Sequence, residues 1–87
     1  MARTTSPYPT LDDATYDAVV NGQYLKSTFS NGNAGCLSFT VAGGMIGFQD
    51  DKLSPVERKA RTLIFDQHEM AAFIAGAKSE DFDHLFD

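Results

Sequence analysis

Strict alternation of apolar and polar residues over residues 36–41 constrains the fold more than any other feature of this sequence. In an extended chain, successive side chains point to opposite sides, so the segment has an apolar and a polar face. The two faces carry Leu37, Phe39 and Val41 on one side, and Ser38 and Thr40 on the other. The glycine pair at positions 43 and 44 tolerates the positive φ angles of a tight turn. The pattern predicts a hairpin with one face buried and one face in water.

Two later segments extend this hairpin into a sheet. Residues 45–49 return from the glycine turn, and residues 61–65 are again rich in strand-forming side chains. The expected inward pair of the first is Ile46 and Phe48, and the second places Leu63 and Phe65 together on one face.

A fourth strand is predicted over residues 24–29, before the alternating segment. Residues 30–35, with two Asn and two Gly, would form the turn between the two strands. A glycine-rich loop can also bind phosphate, but no Lys with Ser or Thr follows this one, and a strand rather than a helix comes next. The plain turn is therefore the favoured interpretation.

Helical signals flank the predicted sheet. The Asp66 side chain can cap the start of a helix, and Glu69, three residues on, can bond back to the Asp66 backbone N–H. An apolar stripe with helical spacing follows in Met70, Phe73, Ile74 and Ala77. This stripe is expected to lie across the sheet, with the helix ending near Gly76. A shorter helix is predicted between Asp12 and the Asn21-Gly22 pair, and Ser54-Pro55 begins a single helical turn.

These elements predict an α+β fold, a small antiparallel sheet of about four strands packed by a C-terminal helix. The 87 residues fit one small domain. We expect residues 1–23 to be an N-terminal extension, partly flexible with a possible short helix, and residues 24–87 to be the domain with an acidic tail.

The net charge of −5 argues against nonspecific binding of nucleic acid, which depends on clustered Lys and Arg. A basic protein partner suits the chain better. The single cysteine allows no internal disulfide, and no leader or membrane-spanning stretch is evident, so a cytoplasmic protein without membrane attachment is expected.

No catalytic, cofactor-binding or metal-binding set of residues emerges from the sequence. Cys36 has no identifiable base beside it, and His68 lacks the second histidine of a metalloprotease helix because Ala72 stands there. Asp50 and Asp51 are neighbours on a strand and would point to opposite faces, so they are not expected to act together as a catalytic or cation-binding pair. Ion pairs with Lys52, Arg58 or Arg61 are a sufficient structural role for them. We therefore expect a protein that is not an enzyme.

The order of motifs over residues 24 to about 83 resembles the small actinobacterial family called domain of unknown function 397, abundant in Streptomyces. Residues 24–39 resemble the family's aromatic-x-Lys-Ser-Ser-Tyr-Ser strand, its Asn/Gly turn and its Cys-Val-Glu-Val segment, in that order. The family's Val-Arg-Asp-Ser-Lys resembles residues 48–52, and its Phe-Thr-Pro-Ala-Glu-Trp-x-Ala-Phe-Leu-x-Gly helix and closing Glu-Phe-Asp resemble residues 65–76 and 81–83. This chain departs from the pattern with Gln49 for Arg, Met70 for Trp, and a longer segment over residues 52–61.

This resemblance implies a regulatory protein encoded beside a helix-turn-helix regulator that it modulates, some relatives acting like antitoxins in development or antibiotic production. Our hypothesis is that an acidic, aromatic tail and a basic loop contact that partner. The candidate residues are Glu80, Asp81, Phe82, Asp83, Leu85 and Phe86 in the tail, and Arg58, Lys59 and Arg61 in the loop. The alternative is a homo-oligomeric scaffold that associates through a sheet edge or helix face, and a homodimer could coexist with the first.

Overall fold

The computed structural model describes residues 5–27 and 36–86. Within these ranges the chain forms an antiparallel sheet in the order β1-β2-β3, together with helices. The elements, in chain order, are α1 (Asp13–Val20), β1 (Leu37–Ala42), β2 (Met45–Asp50), α2 (Pro55–Ala60), β3 (Leu63–Asp66), α3 (Gln67–Lys78) and a short 3-10 helix (Asp83–Leu85). The predicted α+β class is confirmed.

The hairpin predicted from the glycine pair is present. Gly43 and Gly44 have φ angles of 58° and 77°, and they join strands whose nearest pairs are Ala42 with Met45 and Val41 with Ile46. Because both central residues need positive φ, glycine fits this turn at both positions.

The predicted fourth strand over residues 24–29 is not confirmed. In its described part, a single bridge joins this segment to β1: Leu25 N–H donates to the Phe39 carbonyl at 2.8 Å, and Phe39 N–H donates back at 2.9 Å. Residues 24, 26 and 27 belong to no strand, and residues 28 and 29 lie outside the described residues, as does the predicted turn over residues 30–35.

The face of the sheet that is buried is the polar one, so the expected inward pair of Ile46 and Phe48 is wrong. Ser38 and Thr40 are only 1% and 5% exposed, whereas Leu37 and Val41 are 63% and 65% exposed. In the other two strands the buried positions are Gly47, Gln49 and Ile64, while Leu63 is exposed.

The reason for this inversion is α1, which packs on the polar face. Tyr16, Val19 and Val20 of α1 form the buried core with Ile64 of β3. Small side chains on the strands let the helix lie close: a Cβ added at Gly47 would be 2.5 Å from Val19 Cγ1. A bulky residue at that position would push the helix away from the sheet.

Hydrogen bonds make the burial of polar residues tolerable. Gln49 Nε2 donates to the Val20 carbonyl at 3.1 Å and to Thr62 Oγ1 at 3.0 Å, and Tyr24 Oη donates to the Val19 carbonyl at 2.8 Å. These two carbonyls lie in the last turn of α1, where the carbonyl groups of a helix have no N–H donors within the helix itself. Side chains of the sheet and of the following segment thus complete the end of the helix. Burial raises the pKa of the Tyr24 hydroxyl to about 12.

The segment before α1 runs along the outer edge of β3. Tyr8 Oη accepts a hydrogen bond from the Ile64 N–H at 3.0 Å, and the Tyr8 ring lies against Tyr16 with centroids 6.4 Å apart. Ser6 N–H donates to Asp13 Oδ1 at 2.8 Å. This part of residues 1–23 therefore contacts the core and satisfies a backbone donor at the sheet edge.

The best-specified helix of the sequence, α3, forms with its predicted capping box. Asp66 Oδ1 accepts from the Glu69 N–H at 2.7 Å, and Glu69 Oε1 accepts from the Asp66 N–H at 2.9 Å. The helix contacts β3 and β2, but none of its residues is buried, and Phe73 and Ile74 are 56% and 45% exposed. Its apolar stripe is thus only partly covered.

Two substitutions on opposite faces of the sheet test this arrangement. We expect Gly47→Ala to lower the free energy of unfolding by about 1–3 kcal/mol, because the added methyl group collides with Val19. Leu37→Thr, at an exposed position, is expected to change it by no more than about 0.5 kcal/mol. Urea denaturation of both variants gives the comparison.

If the apolar face were the interior, the order would reverse. A large loss of stability in Leu37→Thr with a mild effect of Gly47→Ala would contradict the burial described above.

Candidate protein-binding surface

The apolar residues of the sheet share the face opposite α1, which we call the open face. The strand pairing aligns them in rows, since paired residues in antiparallel strands point to the same side. One row is Phe39, Phe48 and Leu63, and the next is Val41, Ile46 and Phe65. Leu25, which is bridged to Phe39, and Leu37 at the start of β1 complete the face.

Much of the open face is accessible to solvent. Leu25, Leu37, Val41 and Leu63 are each more than half exposed, and Phe73 and Ile74 of α3 lie at 56% and 45%. Taking roughly 150–200 Å² for a fully exposed large side chain, the four residues of the sheet face expose on the order of 400 Å². A patch of that size lies in the range of the largest apolar patch on a typical monomer, which is often functional.

A groove of about 440 Å³ crosses the open face beside α3. Leu37, Phe48 and Leu63 line it from the three strands, and Met70 and Phe73 line it from α3. Phe65 and the Glu69 side chain complete the lining, and the Phe48 and Phe65 rings meet edge to face at 6.1 Å. The lining is therefore apolar apart from one carboxylate.

The acidic tail begins with a tight helix ending that directs it back to α3. Asp81 N–H donates to the Gly76 carbonyl at 3.0 Å, and Glu80 N–H donates to the Ala77 carbonyl at 3.1 Å. This is the Schellman arrangement, in which one residue takes a positive φ, here Glu80 at 66°.

The tail joins the open face through stacked aromatic rings. Phe82 stacks on Phe73 with centroids 5.2 Å apart, and it reaches this position because Gly76 has no side chain in the way. Since Phe73 also lines the groove, the tail and the groove form one continuous surface.

The predicted tail residues lie at the outer end of this surface. Leu85 and Phe86 are 63% and 85% exposed. The carboxylates of Glu80, Asp81 and Asp83 are exposed, and none of the ion pairs within residues 5–27 and 36–86 involves them. The structure thus brings acidic and apolar tail residues together, as the hypothesis requires.

The predicted basic residues, by contrast, are partnered within the chain. Arg61 Nε pairs with Glu57 Oε2 at 3.0 Å, and Lys59 Nζ donates to Asn21 Oδ1 at 2.9 Å. The Arg58 guanidinium donates to two backbone carbonyls and lies 3.6 Å from an oxygen of Asp51. In the described part of the chain no ion pair joins these residues to the tail.

Asp50 and Asp51 have the structural partners that the sequence suggested. Lys52 Nζ donates to Asp50 Oδ1 at 2.9 Å, and this hydrogen bond holds the pKa of the Asp50 carboxyl below its usual value. Asp51 accepts from Ser38 Oγ at 2.7 Å and lies near Lys26 and Arg58. Both carboxylates therefore fix the chain after β2.

The open face was not predicted from the sequence, because its apolar residues were expected in the interior. The available signal was the predicted helix after Asp12, whose apolar residues Tyr16, Val19 and Val20 also needed a surface to pack on. That helix takes the face whose residues are small.

Metal-binding clusters and membrane-spanning helices are absent from the described residues. Over residues 5–27 and 36–86, no group of three or more His, Cys, Asp or Glu residues is placed to hold a metal ion. None of the helices in those ranges is long and apolar enough to cross a membrane.

Replacement of Glu80 by glycine tests the geometry at the start of the tail, because it removes the strain of a side chain at positive φ. We expect Glu80→Gly to raise the free energy of unfolding by about 0.5–1 kcal/mol, because glycine adopts this conformation without strain. Ser79→Gly is the matched control, since Ser79 has a φ of −86° and gains no such relief. Thermal unfolding of both variants measures the difference, and equal destabilisation by the two would contradict the Schellman ending.

Comparisons with known proteins add no relative to this picture. No family model, no curated protein and no solved structure matches the chain. The resemblance to the domain of unknown function 397 family therefore stays a prediction from the motifs of the sequence.

Proposed function

We propose that this chain is a non-enzymatic regulatory protein that binds and modulates a helix-turn-helix transcriptional regulator encoded nearby. The observation that carries the interaction is the open face, which presents on the order of 400 Å² of apolar side chains to solvent. A protein partner that covers this face would remove those side chains from water.

The charge distribution supports a basic partner. The chain has twelve acidic and seven basic residues. In the segment over residues 52–61, Lys52, Arg58 and Arg61 form ion pairs within the chain, and Lys59 donates a hydrogen bond to Asn21. The tail carboxylates beside the open face lack such pairs in the described structure. Complementary charge accelerates encounter and fixes orientation, while the apolar residues hold the complex.

The identity of the partner comes from the sequence resemblance. Proteins that bind DNA carry clustered Lys and Arg, so an acidic regulator-binding protein is complementary to them. In this proposal the chain acts in the cytoplasm, in the manner of an antitoxin or anti-regulator, without touching nucleic acid itself.

A second candidate is a homo-oligomeric scaffold. The observation that favours it is again the open face, since a standard interface buries about 800 Å² on each partner, which is of the same order as the exposed apolar area here. Sedimentation of the chain alone distinguishes the two. A monomer that forms a complex only with the regulator supports the first function, and a stable dimer at all concentrations supports the second.

Co-expression with the neighbouring helix-turn-helix regulator tests the proposed function. We expect the wild-type chain to co-purify with it, and a Leu37→Asp/Val41→Asp variant to lose the complex because two exposed apolar anchors become charged. The control is Val56→Asp, which places an acidic side chain at a still more exposed apolar position on α2, outside the open face.

A tail variant with Asp81, Phe82 and Asp83 changed to alanine separates the roles of the two parts of the surface. We expect this variant to bind the regulator more weakly than the wild type does. Its binding should also depend less on salt concentration, because two of the attracting carboxylates are gone. Undiminished complex formation by the Leu37→Asp/Val41→Asp variant would contradict the role of the open face.

A further inference from the structure

The open face offers side chains to a partner, while backbone groups at both edges of the sheet already have hydrogen-bond partners. At β1, Leu25 exchanges two hydrogen bonds with Phe39. At β3, the Ile64 N–H donates to Tyr8 Oη, and the Asp66 N–H donates to Glu69 Oε1. Addition of a partner strand to either edge would have to displace these contacts.

The width and the lining of the groove suit an α-helix. Its floor crosses all three strands through Leu37, Phe48 and Leu63, and its wall is α3, through Met70 and Phe73. A helix is about 10 Å wide and strands are about 4.8 Å apart, so one helix covers about two strands. Among the described helices, α3 lies on this face, where it contacts β3 and β2, while Leu37 and Val41 of β1 are more than half exposed. The β1 side of the face can therefore receive another element.

From this geometry we propose that the groove binds an amphipathic helix of the partner protein, which lies alongside α3 with apolar residues in the groove and Lys or Arg on its flank. This inference rests on the proposed function and names the element of the partner that the open face receives.

A helix suits an apolar floor better than an extended segment does. A buried backbone N–H or C=O without a hydrogen-bond partner costs free energy, and the groove lining supplies only the Glu69 carboxylate as a polar side chain. A helix brings its own backbone hydrogen bonds and presents apolar residues at i, i+3, i+4 and i+7. It can therefore cover the face without stranding polar groups.

The charges around the groove specify a basic flank. Glu69 lines the groove, and the tail carboxylates of Asp81 and Asp83 flank Phe82, which stacks on the groove residue Phe73. A second copy of the chain fits less well, because its net charge of −5 brings like charges together. Its own α1 carries Asp13 and Asp17, and its basic helix α2 is only 6 residues long, too short for an apolar stripe over i to i+7.

A synthetic peptide provides the direct test. The probe is a Leu/Lys peptide of about 15 residues, long enough to form a helix on binding, with leucines at i, i+3, i+4 and i+7 so that they share one face. Two control peptides have the same leucines with Glu in place of Lys, and the same composition shuffled so that the leucines do not share a face. Titration followed by two-dimensional NMR gives affinity and location together.

We expect saturable binding of the Leu/Lys helix, with shift changes at Leu37, Phe48, Leu63 and Met70, and binding at least about tenfold weaker to both control peptides. Leu63→Asp should weaken binding of the Leu/Lys peptide by about tenfold or more. Val56→Asp, which adds the same charge away from the groove, should leave it within about twofold.

Three results would overturn the inference. They are equal binding of the acidic helix, binding that Leu63→Asp and Val56→Asp reduce equally, and a homodimer whose buried open face the peptide does not enter.

The outcome is separable from that of the proposed function. Binding of the helical peptide in the groove without binding of the neighbouring regulator would support the groove assignment and contradict the regulator as partner. Binding of the regulator without binding of the peptide would support the proposed function and contradict a helix as the bound element.

Discussion

The packing of Val19 over Gly47 determines which side of the sheet is the interior. The position allows no side chain, because a Cβ there would be 2.5 Å from Val19 Cγ1 and 2.6 Å from the Tyr24 hydroxyl oxygen. Ser38 and Thr40 in the neighbouring strand are small enough for α1 to lie close, and their hydroxyl groups have hydrogen-bond partners. Polar residues are therefore buried here at no great cost, since each is satisfied.

This contact has a direct consequence for the opposite side of the sheet. With α1 on the polar face, α3 is the described helix that contacts the apolar face, and it contacts β3 and β2 without burying any of its own residues. The core in the described residues consists of Tyr16, Val19, Val20 and Ile64, which is small for a domain of this length. A partner on the open face would bury the apolar area that the chain itself leaves in water. Stability and binding are linked in such a protein, because a ligand of the folded state shifts the folding equilibrium.

Local patterns in the sequence predicted the local structure well. The glycine turn at positions 43 and 44, the capping box of Asp66 with Glu69 and the helix after Asp12 all follow from residue types at short spacing. The α+β class follows from the same elements.

The choice of the buried face could not be read in the same way. Alternation shows that the two faces of β1 differ, but it does not show which face another element covers. A rule that puts apolar residues inside selects Leu37 and Val41, whereas the structure selects the face where Gly47 lets a helix come close. The open face was hidden from sequence reasoning for this reason, and the tail was found because its acidic and aromatic residues are consecutive.

Solvent accessibility of methyl groups, measured by NMR with a soluble paramagnetic agent, tests the inverted sheet most directly. In the isolated chain, the account predicts strong broadening of the methyl signals of Leu37, Val41 and Leu63, and protection of those of Val19 and Ile64. Protection of the first three with broadening of Val19 and Ile64 would contradict the burial of the polar face, and with it the surface on which the proposed function depends.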